Sequence, residues 1–319
     1  MLKFCLGAAT LLLAGSSMFA GVDQGLLDLV PSDAMVVAGV QIDKSKASPL
    51  GQYLLRRMQT DQPGVQKLID QTGFDPRRDL QEIVIATTGP QQKPRKPSVT
   101  VIARGVFDRA HIKTALLSKG GQVESINDVD ILTGPGNHAI AVAILDPTLA
   151  IAGQLNVVRS IVLNRNSPSS LGGQLAQTIA VASRDNEAWF ASVYPGSLLP
   201  AHSALRANGQ RLDGTALRSI LQSSGGLHFG GNAVSVSFDA ETGSAKDAES
   251  LSDVVRFFAS MIQMQHENQR EAALLAPSLN AMQLTTSGSN LHLAMSLPEQ
   301  ALEELMAEAK RPAARRPNP

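Results

Sequence analysis

The sequence predicts an α+β protein made of two similar halves, each a mainly antiparallel sheet with helices packed on one face. Three observations lead there. Short runs rich in Val and Ile alternate apolar and polar residues with period two and end at turn residues. Between them lie runs with apolar residues at helical spacing. Finally, PSVTVIARGVFDRAHIKTAL and NAVSVSFDAETGSAKDAESL share an order of strand, polar corner and helix. DILTGPGNHAIAVAILDPTL and QLTTSGSNLHLAMSLPEQAL share a hairpin followed by a helix, so the pattern reads as an internal repeat.

Composition bounds the class. A chain of 319 residues with 43% hydrophobic and 18% charged residues can bury a sizeable core. A formal net charge of +0 lacks the basic domain of a nucleic-acid binder, so no nucleic-acid partner is expected. Aromatic residues make up 4%, too few for stacking platforms, and the core must be aliphatic.

Residues 1–20, MLKFCLGAATLLLAGSSMFA, read as a signal peptide: Lys3, an apolar run from Phe4 to Ala14, then small residues with cleavage near Ser17 or Ala20. The apolar run is shorter than the roughly 20 residues that span a bilayer, and no second candidate span follows. Cys5 opens the run rather than following it, where a lipid-acceptor cysteine would sit. Cleavage would leave a chain without cysteine, suited to an oxidising compartment without thiol chemistry. The expected location is therefore periplasmic or extracellular.

The first half, 21–165, opens on the amphipathic lead GLLDLVPSDA and the strand AMVVAGVQID. Ser48 and Pro49 fit the N-cap and first residue of a helix with Leu50, Tyr53, Leu54, Met58, Val65, Leu68 and Ile69 on one face. Gly73 fits the position after its end, where positive φ is needed. In TGFDPRRDL, Asp75 and Pro76 are a cap and first residue for a new short turn, which makes the motif a corner into the strand EIVIATT. The basic loop GPQQKPRKP joins that strand to SVTVIARGVF. A helix from Asp108, strands at VDILTG, HAIAVAILD and TLAIAG, and the helix NVVRSIVL complete the half.

The loop NRNSPSSLGGQ, 164–174, marks the boundary to the second half, 166–309. There AWFASVY reads as a strand, TALRSILQSS as a helix, and GLHFGGNAVSVSFDA as one strand or a hairpin. A long helix carries Leu251, Val254, Val255, Phe258, Met261 and Ile262. Two strands turn about Gly288 to Asn290, and a last helix starts at Pro298. Alternation puts Val234, Val236 and Phe238 opposite Ser235 and Ser237, and Leu291 and Leu293 opposite His292, so one sheet face is wet. Residues 310–319 are a basic, proline-rich tail expected to be disordered.

Candidate chemistry is sparse. Backbone N–H groups of the corner with Arg77 and Arg78 make a candidate anion contact, set against arginines paired to Asp70, Asp75 or Asp79. His111, His138, His202, His228, His266 and His292 show neither i, i+4 spacing nor HExxH, so no metal and no cofactor is expected. His228 and His292 both fall on polar strand faces, near Ser235 and Ser237. No G-x-S-x-G or phosphate-cradling glycine pattern occurs, so no catalytic residue is assigned. Lys310, Arg311, Arg315 and Arg316 could support weak adhesion to an anionic envelope surface.

VPSDAMVVAGVQIDKSKASPLGQYLL, TGFDPRRDLQEIVIAT and GSNLHLAMSLPEQALEELM resemble a family of uncharacterised exported bacterial proteins, with a P-x-D-A strand opener, a G-F-D-P-x-x-D-L corner and a terminal strand and helix. The resemblance implies export and an α+β fold and carries no functional residue. Three readings follow: a non-catalytic exported binding or envelope-associated protein, a hydrolase with a site assembled from distant residues, and a scaffold whose exposed sheet face recruits an envelope partner.

Overall fold

The computed structural model of the chain describes residues 21–53, 55, 63–88, 98–134, 140–167, 171–196, 205–207, 210–212, 214–264 and 270–308. The expected leader, the basic hairpin tip, the tail, and His138, His202 and His266 lie outside the described residues. The strands are β1 (Ala34–Gln41), β2 (Leu80–Thr88), β3 (Val99–Gly105), β4 (Gln122–Ile126), β5 (Val129–Thr133), β6 (Ile140–Asp146), β7 (Leu149–Gln154), β8 (Ala188–Ser192), β9 (Leu205–Ala207), β10 (Gln210–Leu212), β11 (Ile220–Phe229), β12 (Ala233–Thr242), β13 (Gln283–Ser287) and β14 (Asn290–Pro298). The helices are α1 (Gln24–Leu27), α2 (Ile42–Lys46), α3 (Pro63–Thr72), α4 (Pro76–Asp79), α5 (Arg109–Leu117), α6 (Leu155–Asn164), α7 (Gly173–Arg184), α8 (Thr215–Arg218), α9 (Ala245–Met264), α10 (Arg270–Asn280) and α11 (Glu299–Glu308).

Twelve of the strands form one sheet in the order β13-β14-β12-β11-β8-β1-β2-β3-β7-β6-β5-β4, antiparallel at every pairing; β9 and β10 form a separate ribbon. The α+β class with an antiparallel sheet therefore holds. The strands of the two halves meet edge to edge through β1 and β8, with Val36 opposite Ser192 and Val40 opposite Ala188. One continuous sheet takes the place of two separate ones.

At that seam Trp189 lies between Gly39 on β1 and Gly226 on β11. A Cβ on Gly39 would stand 2.4 Å from Trp189 Cζ2. Only a residue without a side chain lets the indole lie flat here, and Trp189 is 3% exposed.

The helices do not keep to one face, which corrects the sequence expectation. On what we term the upper face of the sheet, Val37, Val84, Ala86, Ile102, Ile131, Ala141, Ala143, Ile151, Trp189 and Ala191 form the main core with Leu26 and Leu27 of α1, Val158 and Val162 of α6, and Leu175 and Ile179 of α7. In the second half the apolar side is the lower one, where Ala240, Leu291, Phe238, Leu293 and Leu284 meet Leu251 of α9 and Ala216 and Leu217 of α8. A smaller lower-face cluster in the first half joins Phe107, Ile144, Ala150, Phe74, Leu80, Ala103 and Ile112. Next to it on the same face, Val40, Ile85, Val99 and Ile140 remain exposed. The reason is local: period-two alternation changes phase between β1 and β12, so each half buries the side its own sequence makes apolar.

Local stops behave as expected. Gly73 has φ 67° and ends α3, and Gly288 has φ 56° in the last hairpin. Ser48 Oγ accepts from the Gly51 N–H at 2.9 Å, and Asp108 Oδ1 accepts from the His111 N–H at 2.9 Å. The expected helix over TALRSILQSS is only α8; from Ile220 the chain becomes β11. The Ser-Ser-Gly-Gly run at 223–226 is a poor helix former, and β8 and β12 satisfy its backbone from both sides. The first strand stops at Gln41 and turns into α2, while residues 49–53 are helical and α3 follows at Pro63.

The sequence reading did not pick out α2, α7, α10, β4, β9 or β10. Helix α7 starts without a side-chain cap, though Leu175, Ile179 and Ala182 do recur at helical spacing on its buried face. Strand β4 is an edge strand with no fully buried residue.

Candidate functional site

The wet face expected from alternation is real, and pairing turns it into a patterned surface. Register aligns Gln222, Glu241, Asn290 and Ser287 in one cross-strand row, and Ser224, Asp239, His292 and Thr285 in the next. All eight side chains point to the upper face, because residues two apart on a strand share a side. At ordinary strand spacing each row runs roughly 14 Å. Gln177, Thr178 and Val181 of α7 stand as a wall beside the rows, and the groove encloses about 370 Å³. Val181 is 57% exposed there, the apolar part of an otherwise polar wall.

Two hydrogen bonds organise the floor. His292 Nδ1 is 2.7 Å from Asp239 Oδ1. The Gln222 amide nitrogen donates to Glu241 in a short contact. Gln222 Oε1 is shielded from water and has no hydrogen-bond partner. A carboxylate only accepts, so the amide nitrogen must face Glu241 and the unpaired atom is the acceptor oxygen.

The described lining holds the carboxylates of Asp239 and Glu241 and no lysine or arginine. Asp239 orients the imidazole as the acid of a catalytic triad does, but the described hydrogen bonds of His292 bring no serine or threonine hydroxyl to the ring.

The histidines singled out from sequence are separated by the fold. His228 and His292 share the upper face, but the residues opposite them on β12, Ser235 and Asp239, are four apart, roughly 13 Å along a strand. His228 Nδ1 lies 3.2 Å from Glu187 Oε2, which also accepts the Phe229 N–H at 2.8 Å. His111 sits in the first turn of α5. Among the described residues no group of three or more His, Cys, Asp or Glu is placed to hold a metal, and no helix is long and apolar enough to cross a membrane.

The corner carries Arg77 and Arg78 well away from the groove, on the far side of the β1–β8 seam. Asp75 caps α4 by accepting the Arg77 N–H, and the Arg77 guanidinium grips the same carboxylate at 2.8 and 2.7 Å. Arg78 binds Asp79 through two bonds of 2.6 and 2.9 Å, and Asp79 accepts the Asp75 N–H at 2.8 Å. Of the three acids weighed for these arginines, Asp75 and Asp79 are the partners. The guanidiniums hold both carboxyls below their usual range, and the carboxylates push both arginines up. Phe74 stacks on Phe107 at 5.4 Å, and the Val106 N–H donates to the Asp79 carbonyl, so the corner is tied to the end of β3.

A second electrostatic feature lies beneath α1. Glu82 stands between Gln41 and Arg104 in register, and the Asp23 N–H is 3.4 Å from both its oxygens. Arg104 reaches Asp23 at 2.8 Å. Burial dominates and pushes the Glu82 carboxyl up to about 7.

The signal that could have located the groove is the pairing of polar residues two apart on four strands: Gln222 with Ser224, Asp239 with Glu241, Thr285 with Ser287, Asn290 with His292. Reading residues 220–224 of β11 as helix removed one of the four rungs.

No protein-family model and no curated protein matches the chain. Among solved structures, crystal form III of TP0453 superposes with a TM-score of 0.53 at 11% identity, covering 91% of this chain and 99% of that one. Crystal form IV gives 0.51 at 12% identity over 92% and 100%, and crystal form I gives 0.50 at 11% over 91% and 98%. The likeness is one of fold. TP0453 thus matches nearly the whole architecture, both halves of the sheet included, while identities this low carry no residue role across.

Proposed function

We propose that this chain is a non-catalytic, exported binding protein whose ligand site is the groove between α7 and the two polar rows of β11, β12, β14 and β13. One observation carries the reading. Eight polar side chains from four strands stand in register beside a helical wall on a sheet face that no other described element covers, and a concave site with a few converging polar groups is the usual form of a ligand pocket. The leader-like residues 1–20 and the resemblance to exported bacterial proteins support the location.

We also read the halves as a duplicated unit. In each, a first strand (β1, β8) neighbours a hairpin (β2–β3, β11–β12) that leads into a helix (α5, α9), and a later hairpin (β6–β7, β13–β14) places its second strand beside the first hairpin and ends in a helix (α6, α11). The first half adds β4 and β5 at the edge.

The test is a thermal-shift screen of the mature protein against amino acids, peptides, sugars and nucleosides, with Val181→Trp as the control that fills the groove. A ligand at a hundred times its Kd adds about 2.7 kcal/mol to stability. A hit lost in the Trp variant supports the reading; a hit that the variant keeps, or a blank across all classes, refutes it. Signal-dependent export is checked by fusing residues 1–30 to a reporter active only outside the cytoplasm, and a silent fusion overturns that part.

A further inference from the structure

We infer that the groove recognises an organic cation bearing N–H donors, a guanidinium or alkylammonium such as an arginine or lysine side chain; this rests on the groove being the ligand site. Four features of the floor point the same way. Glu241 and Asp239 stand two residues apart on one face of β12, close enough for both to reach one planar donor group. Gln222 spends its amide donor on Glu241, so it offers the groove no donor of its own. In the neutral imidazole, a proton on Nδ1 facing Asp239 leaves Nε2 as a further acceptor. Against these acceptors the described lining supplies no lysine or arginine, so its fixed donors are the amides of Gln177 and Asn290.

The rejected alternatives follow from the same inventory. An anion would meet two carboxylates and no cation. A sugar would find hydroxyl partners but no Phe, Tyr or Trp face among the described lining residues. A guanidinium offers five N–H donors in a plane, and a carboxylate takes two of them at once. Val181 offers the aliphatic stem of such a side chain an apolar contact.

The experiment titrates the mature full chain with three blocked tripeptides, Gly-Arg-Gly, Gly-citrulline-Gly and Gly-Glu-Gly, by calorimetry and by amide chemical-shift mapping. The arginine peptide should bind, perturbing 222–224, 239–241 and 285–292. The citrulline peptide, equal in shape but uncharged, should bind roughly tenfold more weakly, and Asp239→Asn or Glu241→Gln should each weaken the arginine peptide by a similar factor. Both side chains line an open groove, and melting curves confirm that the variants fold. Equal binding of arginine and citrulline peptides, tighter binding of the glutamate peptide, or no effect of either substitution overturns the cation inference. In those cases sensitivity to Val181→Trp would leave the groove standing as a ligand site. Failure of all three peptides overturns the cation inference, and the ligand reading falls with it only if the wider screen is blank as well.

Discussion

Replacing Glu82 by Gln should stabilise the protein above neutral pH and leave it unchanged in mild acid. Burial raises the carboxyl of Glu82 from its ordinary 4.5 to about 7, against the smaller lowering influence of the Asp23 N–H and the charges of Lys44 and Arg104. A carboxyl raised on folding is bound to its proton more tightly in the native state than in the unfolded chain. The folded wild type therefore has its full stability below pH 4.5, and part of that stability is lost as pH rises through 7. Each pH unit in that window would cost about 1.4 kcal/mol for a fully buried group, and solvent screening of this half-buried one reduces the loss to roughly 1–2 kcal/mol. Gln has the shape of the protonated acid and no charge to desolvate. Urea unfolding of both proteins at pH 4.5, 6 and 8 should give matching stabilities at the lowest pH and an advantage of roughly 1–2 kcal/mol for Glu82→Gln at the highest. A constant gap, or a wild type more stable at pH 8, would mean that Arg104 pairs with an ionised Glu82 and that desolvation does not rule the site.

Gly39→Ala should cost about 3 kcal/mol or more in denaturant unfolding, since the new Cβ would lie 2.4 Å from the Trp189 ring in the seam of the sheet; a loss below about 0.5 kcal/mol would show that the indole yields easily. Asp79→Asn should cost about 1–3 kcal/mol at pH 7, because Asp79 is buried and accepts from Arg78 and the Asp75 N–H. Its carboxyl is held below its ordinary 3.8, so that contribution is present above this value and disappears as pH falls through the lower native pKa. The gap between Asp79→Asn and wild type should close in strong acid, and a gap that widens there would contradict the assignment. Asp108→Ala should remove the α5 cap and lower stability by about 1 kcal/mol, read as a fall in melting temperature; no change would mean that water replaces the cap without loss.

Much of the fold was legible because its signals are short-range. Asp75 followed by Pro76, Gly73 at positive φ, Ser48 and Asp108 as caps, and the turn at Gly288 each follow from a side chain acting on its own backbone within a few residues. The groove was half legible. Alternation along β12 and β14 put Ser235, Ser237 and His292 on the polar face, but Glu241 fell past the strand as read, Asn290 was read as turn, and the rung from β11 was hidden. Ile220 to Ser224 carries apolar residues that fit a helix turn, and only neighbours on both sides make it a strand. The opposed arginines and acids of the corner were visible as a cluster, while the choice of Asp75 and Asp79 over Asp70 needed the geometry of α4.

By itself the sequence determined the caps and glycine stops at Ser48, Gly73, Asp75, Asp108 and Gly288 and which side of β12 and β14 is apolar, since both depend on contacts within a turn or on a period of two. Tertiary structure decided which faces the helices cover and that β1 and β8 fuse the halves into one sheet. It also brought eight separated polar residues into two rows. Those outcomes depend on strand pairing between residues far apart in the chain, and a pattern of period two says which side chains share a face without saying what will lie against it.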